Sequence, residues 1–361
     1  MRVTRLVLRD MRRFDEIELA PSGGLNLVTG ANGAGKTSLL EALHLMAYGR
    51  SFRGRVRDGL IRDGREALEI FVEWQDAGTR PRRAGLRHGG QRWTGRLDGE
   101  DVGHLGQLCA ALAVVTFEPG SHALISGAAE HRRRYLDWGL FHVEQRFMPV
   151  WRRYARALKQ RNALLKAGAG LGQLEAWDRE LAESGEVLTG YRVAYLDLLA
   201  PRAIAKATVF TDGLRLTGLE FHAGWRRGDM SLADALLLGR ERDRASGFTG
   251  VGPHRADWSL GIDGLPGREA LSRGQTKLVA LAMLMAQAED LGIRHGDWPV
   301  IGLDDLPSEL DREHQQRVLA DLHAWPDVQV FVTATESPAV LTGMGLQPAL
   351  FHVEQGALHR R

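Results

Sequence analysis

The octapeptide GANGAGKT at Gly30–Thr37 has the residue types and spacing of a phosphate-binding loop. It fits G-x-x-x-x-G-K-[ST], with the apolar strand pattern GLNLVT before it and a helical pattern after it. Glycines let the backbone curl so that several N–H groups point inward, and Gly30, Ala31, Asn32, Gly33, Ala34 and Gly35 form that cradle. Lys36 is expected to pair with β- and γ-phosphates, and Thr37 to offer its hydroxyl to Mg2+. Such a metal needs an acidic partner. The run VIGLDD supplies one: four mostly apolar residues, then Asp304 and Asp305 at the carboxyl end of a buried strand, where ligands of open α/β sheets bind. Asp304 is expected to hold Mg2+ through water and Asp305 to orient the attacking water. Lys36, Asp304 and Asp305 are therefore the candidate catalytic residues, and ATP with Mg2+ the candidate cofactors.

A second stretch, LSRGQTK at Leu271–Lys277, fronts the apolar run LVALAMLMA. A helix start can bind an anion, because its first N–H groups lack intrahelical partners and the macrodipole is positive there. Ser272 also suits a plain helix cap. P-loop, LSxGQ-like helix start, DD strand end and SELD (Ser308–Asp311) follow one another in the order of an ATP-binding-cassette head. In that class the LSxGQ helix covers the γ-phosphate held by a partner head, so two ATPs are sandwiched head to tail. Ser272, Gly274 and Gln275 would then bind ATP across a dimer. Neutral donors of this kind distinguish a γ-phosphate from its absence. Asp311 would reach toward the opposite site.

These residues need elements to position them. Val3–Leu8 and Ile17–Leu19 alternate as half-buried strands, and Thr37–Tyr48 carries a helical apolar stripe that Gly49 ends. Glu69–Trp74, Ala84–His88 and Gln91–Leu97 read as strands, the last two joined by the hairpin turn HGGQ. LAVVTF reads as a buried strand. One long helix is expected from about Glu130 to Lys166, a break at AGAGLGQ, and a second helix from about Leu174 to Leu199 that stops at Pro201. Together they make an antiparallel αα-hairpin. GVGPHRADW reads as a loop, and PVIGLDD, Arg312–His323 and VQVFVTAT as strand, helix and strand. The expected class is an α/β P-loop ATPase head of ABC/SMC type, with an antiparallel β subdomain and a helical insertion. Its divisions are 1–120, 121–250 and 251–361, the outer two being parts of one ATPase lobe.

The 361 residues are 44% hydrophobic and 25% charged, enough for a real core, and the formal charge is only +2. Its distribution says more. Arginines crowd the first half in RSFRGRVR, RPRRAGLR, HRRR and WRRYARALKQR, while acids gather late in AEDLG and LDDLPSELD. That asymmetry suggests a basic face for a nucleic-acid backbone. Arg132, Arg133, Arg152, Arg153 and Arg156 of the helical arm are the candidate DNA contacts, and without aromatic spacing for base stacking the binding should be independent of sequence. Arg50, Arg53, Arg55 and Arg57 stand just past the P-loop helix, where they serve either nucleotide or DNA. A single cysteine, Cys109, excludes an intramolecular disulfide and a cysteine zinc site. The N-terminus reads as a strand and not as a signal peptide. The longest apolar run, Leu278–Ala286, falls short of the about 20 residues a bilayer requires, so the expectation is a cytoplasmic protein with no membrane partner.

Taken together the motifs resemble those of the RecF family of recombination-mediator ATPases, relatives of SMC-type heads. GANGAGKTSLLEALHL, GRSFRGRVRDGLIRDG, RRRYLDWGL, ALKQRNALLK, VGPHRADW, LSRGQTK and LDDLPSELD are similar to the family's segments in the family's order, over nearly the whole chain. The resemblance implies an ATP-dependent homodimer that binds DNA at gaps and at single-strand/double-strand junctions. It implies work with RecR and RecO to load RecA, in recombinational repair, replication and the SOS response. It also implies that Arg12, Arg13 and Phe14 border the nucleotide. The chain departs from the family at Ala256, where the G-P-H-R loop usually continues with an acid, and at Gly302, which is expected to loosen its strand. TAT offers Thr333 and Thr335 as alternative nucleotide-facing groups. Asp305 stands where fast cassette ATPases carry Glu, one methylene longer, so weak hydrolysis is expected. The alternatives are an ABC-type subunit of another complex, which predicts a Thr-His pair and a Glu that are missing, and an SMC-like tether. The tether needs long coiled coils, whereas about 35 residues per arm reach only roughly 50 Å. His131, His142 and His254 are scattered singly and make no nuclease cluster.

Overall fold

The computed structural model describes residues 1–54, 59–90 and 92–361. Arg55, Arg57 and Gln91 lie outside the described residues. In chain order the elements are β1 (Arg2–Met11), β2 (Phe14–Leu19), β3 (Leu25–Thr29), α1 (Lys36–Tyr48), β4 (Ala67–Gln75), β5 (Pro81–Gly89), β6 (Arg92–Leu97), β7 (Glu100–Asp101), α2 (Gly106–Ala111) and β8 (Val114–Phe117). There follow α3 (Ala123–Ser126), α4 (Ala129–Val143), α5 (Phe147–Lys166), α6 (Leu171–Phe210), β9 (Leu216–His222), α7 (Leu232–Ser246), β10 (Asp257–Ile262) and α8 (Arg273–His295). The chain ends with β11 (Val300–Leu303), α9 (Leu306–Glu309), α10 (Arg312–His323), β12 (Val330–Ala334), α11 (Ala339–Gly343), β13 (Ala349–Glu354) and β14 (Ala357–Arg360). Two compact units result, Met1–Ser121 with Val209–Thr211 and Lys277–Arg361, and His122–Thr208 with Asp212–Thr276. The second division thus falls at Thr276/Lys277 and not after residue 250.

The first unit carries two sheets. One is antiparallel in the order β2-β1-β4-β5-β6-β7, and the other runs β14-β13-β3-β12-β11-β8, parallel except for the edge hairpin β13–β14. The parallel strands β11 and β12 are buried throughout, as strands covered on both faces must be, which is why they read as continuous apolar runs. In β1 and β4 every second residue, Leu6 and Leu8, then Leu68, Ile70 and Val72, turns to one face and packs in one core with Leu39, Leu43 and Met46 of α1. β1 and β2 run to Met11 and from Phe14, beyond the expected strand ends at Leu8 and Ile17, so the connection between them is only Arg12–Arg13. Gly302 does not loosen β11. A Cβ there would lie 3.3 Å from Leu40 of α1 and 3.6 Å from Thr116 of β8, so the glycine lets the P-loop helix lie close on the strand.

The second unit is mainly helical. The expected single helix from Glu130 to Lys166 is two, α4 and α5. Glu144 turns extended at the end of α4, and its carboxylate accepts the N–H of Arg146 at 3.0 Å at the start of α5. Pro149 in the first turn of α5 was the legible sign of a new start. The second expected helix does not stop at Pro201. It runs on as α6 because Ala203 and Ala207 are fully buried beyond it, and that packing offsets a loss of about 3 kcal/mol at an interior proline. GVGPHRADW is a loop only in part: Pro253–Arg255 make a 3-10 turn, and Asp257 and Trp258 begin β10, which pairs antiparallel with β9.

Two histidines are held neutral, one in each unit. Burial lowers the pKa of His44, stacked 4.0 Å from Tyr48, to about 3, with Arg50 adding to the shift. Burial lowers that of His254 to about 4, the hydrogen bond to the Thr249 carbonyl opposing it. Below the ordinary histidine value of 6.5 the unfolded chain takes up protons that the fold refuses. Each histidine should therefore remove about 1.4 kcal/mol of stability per pH unit between 6.5 and its own folded value. Urea midpoints should fall clearly from pH 7.5 to pH 5, and less steeply in His254→Asn. Equal midpoints at the two pH values would contradict this.

Candidate nucleotide-binding site

β3 ends at Thr29 and the chain turns through Gly30–Gly35 into α1. Three of those turns need glycine. Gly30 has φ 151°, and a Cβ there would lie 2.3 Å from the carbonyl oxygen of Val353. Gly33 has φ 76°, and Gly35 has φ 121° with Phe14 where its Cβ would be. Ala31, Asn32 and Gly33 are exposed along the rim, and Ala34 is half-buried. At Gly35 no side chain caps α1, and no acid stands in its first turn. The first N–H groups of the helix are thus presented to an anion. Lys36 folds back over the loop and donates to the carbonyls of Gly30 at 2.7 Å and Ala31 at 3.0 Å. Burial holds its pKa below the usual lysine value, while Asp305 and Asp304 oppose that.

Beside the loop three oxygens converge. Thr37 Oγ1 donates to Asp304 Oδ1 at 2.9 Å, and Thr333 Oγ1 donates to the same oxygen at 2.7 Å. Register explains the meeting: β11 lies next to β12, and β12 next to β3, so Asp304, Thr333 and the P-loop emerge from the same end of the sheet. Burial pushes the Asp304 carboxyl above the ordinary aspartate value, and the bonds from Thr333 and Thr37 pull against it. Thr333 is the buried threonine at the carboxylates. Thr335 is exposed and meets the P-loop through its carbonyl, which accepts the Gly30 N–H at 3.4 Å.

Asp305 sits in the left-handed region, φ 50° and ψ 43°, with its N–H donated to Thr333 Oγ1 at 2.8 Å. Its Oδ1 is shielded from solvent and has no hydrogen-bond partner among the described residues. An oxygen so placed can take a proton from a bound water. Arg12, Arg13, Arg53 and Glu118 join Lys36, Thr37, Asp304 and Asp305 around one cavity of about 800 Å³. Glu118 was not singled out in the sequence. It follows β8, which pairs with β11 so that Phe117 faces Leu303, and this register brings it to the strand end beside Asp304.

The signature residues belong to the second unit. Ser272 and Gln275 cap α8 reciprocally: the Ser272 N–H donates to Gln275 Oε1 at 2.9 Å, and the Gln275 N–H to Ser272 Oγ at 3.2 Å. Ser272, Arg273 and Gly274 are exposed. Asp311 caps α10, accepting the His314 N–H at 3.0 Å.

The arm arginines divide. Arg132, expected to contact DNA, is an interior residue instead. It is 1% exposed, pairs with Asp257 at 2.6 Å and 3.1 Å, and donates to the carbonyls of Leu124, Ile125 and Gly127, so no face of it is left for a phosphate. Arg133 donates to the Ala256 carbonyl at 2.8 Å, and burial lowers its pKa. Arg152, Arg153 and Arg156 are exposed on α5, Arg153 paired with Glu180 and Glu183 of α6. Lys159, which sequence reading passed over, is exposed one turn beyond.

Comparison with known proteins places this geometry. A model of the RecF/RecN/SMC N-terminal domain matches residues 2–357. The DNA replication and repair protein RecF of Xanthomonas euvesicatoria is 64% identical, covering 100% of this chain and 99% of that protein. The RecF protein of Thioalkalivibrio sulfidiphilus is 40% identical, over 99% of each. Among solved structures, the recombination mediator protein RecF-ATP of the RecFOR pathway superposes with a TM-score of 0.89 at 25% identity, over 100% of this chain and 97% of that one. A Pyrococcus furiosus Smc head, with TM-score 0.60 and 14% identity over 100% and 96%, shares the fold. Among the described residues no helix is long and apolar enough to cross a membrane. With its P-loop, its paired aspartates and its LSRGQ helix start each in place, the chain belongs to the RecF family within the RecF/RecN/SMC ATPases.

Proposed function

We propose that the chain is a weak, DNA-binding ATPase that acts as a recombination mediator. The observation that carries the reading is the uncapped start of α1 opening on the same cavity as Thr37, Asp304, Thr333 and the unpartnered oxygen of Asp305. The N–H groups of Gly33–Thr37 would surround the β-phosphate, and Lys36 would turn from the Gly30 and Ala31 carbonyls to the β- and γ-oxygens. Thr37 and Asp304 fit Mg2+, since a hydroxyl and a carboxylate oxygen already meet there. The ion would supply charge to offset that of the phosphates. Asp305 would orient the water. Its short side chain supports a turnover well below the roughly 1–100 s⁻¹ of kinases.

Exposed Ser272 and Gly274, with Gln275, support a head-to-tail homodimer in which each signature covers the ATP of the partner. Arg152, Arg153 and Arg156, with Lys159, would follow a DNA backbone without reading bases, at gaps and at single-strand/double-strand junctions. Family membership and the RecFOR relatives support a cytoplasmic role with RecR and RecO, helping to load RecA in repair and the SOS response. The test is molar mass by light scattering with and without Mg-ATP. Wild type should double in mass with ATP. Ser272→Arg should stay monomeric yet still bind ATP at its own P-loop, because within its own chain it loses only a cap worth about 1 kcal/mol. If neither responds to ATP, the LSRGQ helix start is only a cap and the dimer is refuted.

A further inference from the structure

Glu41 is fully buried, yet the phosphate and metal chemistry described above does not use it. It stands four residues beyond Thr37, one turn along the same face of α1. Arg12 grips its carboxylate with two bonds, Nε to Oε2 at 3.0 Å and Nη2 to Oε1 at 2.7 Å. Ser51 donates its hydroxyl to Oε1 and accepts the N–H of Arg53 at 2.9 Å. The Arg53 guanidinium lies 3.9 Å from the same carboxylate. Arg12, Arg13 and Arg53 all line the nucleotide cavity. Arg12 is held at φ 57°, a left-handed conformation that a residue with a side chain keeps only when its surroundings impose it.

A buried ion pair adds little to stability beyond what apolar side chains of the same volume would supply. What Glu41 does supply is direction. We propose that Glu41 is a positioning residue for the nucleotide: its carboxylate fixes the Arg12–Arg13 turn and the Ser51–Arg53 segment at the cavity, so that the phosphates meet cations already in place. The inference rests on the ATP-binding reading above. Glu41 touches no phosphate and acts through Arg12 and Arg53. Cations held in advance lose less freedom on binding, so the benefit falls on affinity and not on the chemical step.

The experiment is a Mg-ATP titration by calorimetry, with steady-state kinetics, on full-length wild type, Glu41→Gln, Arg12→Ala and the double variant. Glu41→Gln should raise Kd and KM about tenfold and leave kcat at saturating ATP unchanged. The double variant should lose clearly less affinity than the two single losses added together, since both cut the Arg12 arm of one clamp while only Glu41→Gln also frees the Ser51–Arg53 arm. Fully additive losses, or wild-type affinity in Glu41→Gln, would overturn the proposal. Where Glu41→Gln fails to fold, Ser51→Ala cuts the second arm of the clamp from outside α1. It should weaken ATP several-fold, and unchanged affinity there also overturns the proposal. A wild type that binds no Mg-ATP would instead refute the ATP reading, which is a different result.

Discussion

Asp305→Asn should lower ATP turnover about a hundredfold or more, while ATP affinity and folding survive. The substitution keeps the side-chain shape, removes the charge and replaces one carboxylate oxygen with an NH2 group, leaving an amide oxygen too weak a base to accept a proton. It also suits the backbone, because asparagine tolerates the left-handed conformation that Asp305 occupies. The N–H bond to Thr333 at 2.8 Å does not involve the side chain and should persist. What is lost is the negative charge, and with it the ability of the shielded Oδ1, which has no partner among the described residues, to take a proton. With hydrolysis blocked and binding kept, the proposed ATP-bound dimer should persist longer than in wild type. Single-turnover hydrolysis and calorimetric Kd check the two halves separately. A drop of only about twofold in turnover would mean that water is oriented by another group, and Asp305 would be a turn residue.

Much of this site was legible because its chemistry is local. A P-loop is one contiguous turn, so Gly30, Gly33 and Gly35 announce it, and the fold explains two of them: the Val353 carbonyl and the Phe14 ring stand where side chains of Gly30 and Gly35 would go. Asp304 and Asp305 were legible as acids ending an apolar strand. The choice between Thr333 and Thr335 was not, because residues two apart on a strand point the same way, and only the register with β11 and the end of β12 at Ala334 decide which one reaches Asp304. Glu41 was hidden for a related reason. Within α1 it reads as one polar residue of an amphipathic helix, and only the turn between β1 and β2 brings Arg12 to it.

The arginines taught the opposite lesson. A run such as HRRR reads as a basic surface, yet burial depends on helix phase and on what lies opposite. Arg132 points inward to Asp257, 125 residues away along the chain, and Arg153 points outward, paired only at the surface. Helix ends failed where tertiary packing overrode local preference, as at Pro201, and where a helix was renewed after a short break, as at Glu144. The strand and helix types were otherwise set by periodicity, which is why β3, α1, β11, α10 and β12 fall where the apolar pattern puts them.

The largest stability effect should come from Arg161, which the sequence shows only as one more basic residue of ALKQR. It is 0% exposed. Its Nε donates to Asp178 Oδ1 at 2.6 Å, and its Nη1 to Asp243 Oδ2 at 2.7 Å and to Thr249 Oγ1 at 2.9 Å. One guanidinium thus joins α5, α6, α7 and the segment leading to the G-P-H-R loop. Arg240 bonds the other oxygen of Asp178 at 2.8 Å, and Asp243 also accepts the N–H of Gly250 at 2.9 Å. Arg161→Ala removes the shared cation and leaves Asp243, 2% exposed, without it. Breaking a buried pair in this way costs about 3–5 kcal/mol, because the remaining charge has been desolvated and is no longer matched. Arg153→Ala, on the same helix but at the surface, should cost under about 1 kcal/mol, since solvent screens its pairs with Glu180 and Glu183. Urea unfolding of the two variants side by side gives the comparison. Equal costs would mean that the Arg161 cluster is hydrated and is not the anchor of the arm. A large gap would show that Arg161 anchors α5 to α6 and α7 from the interior, whereas the surface pairs of Arg153 add little.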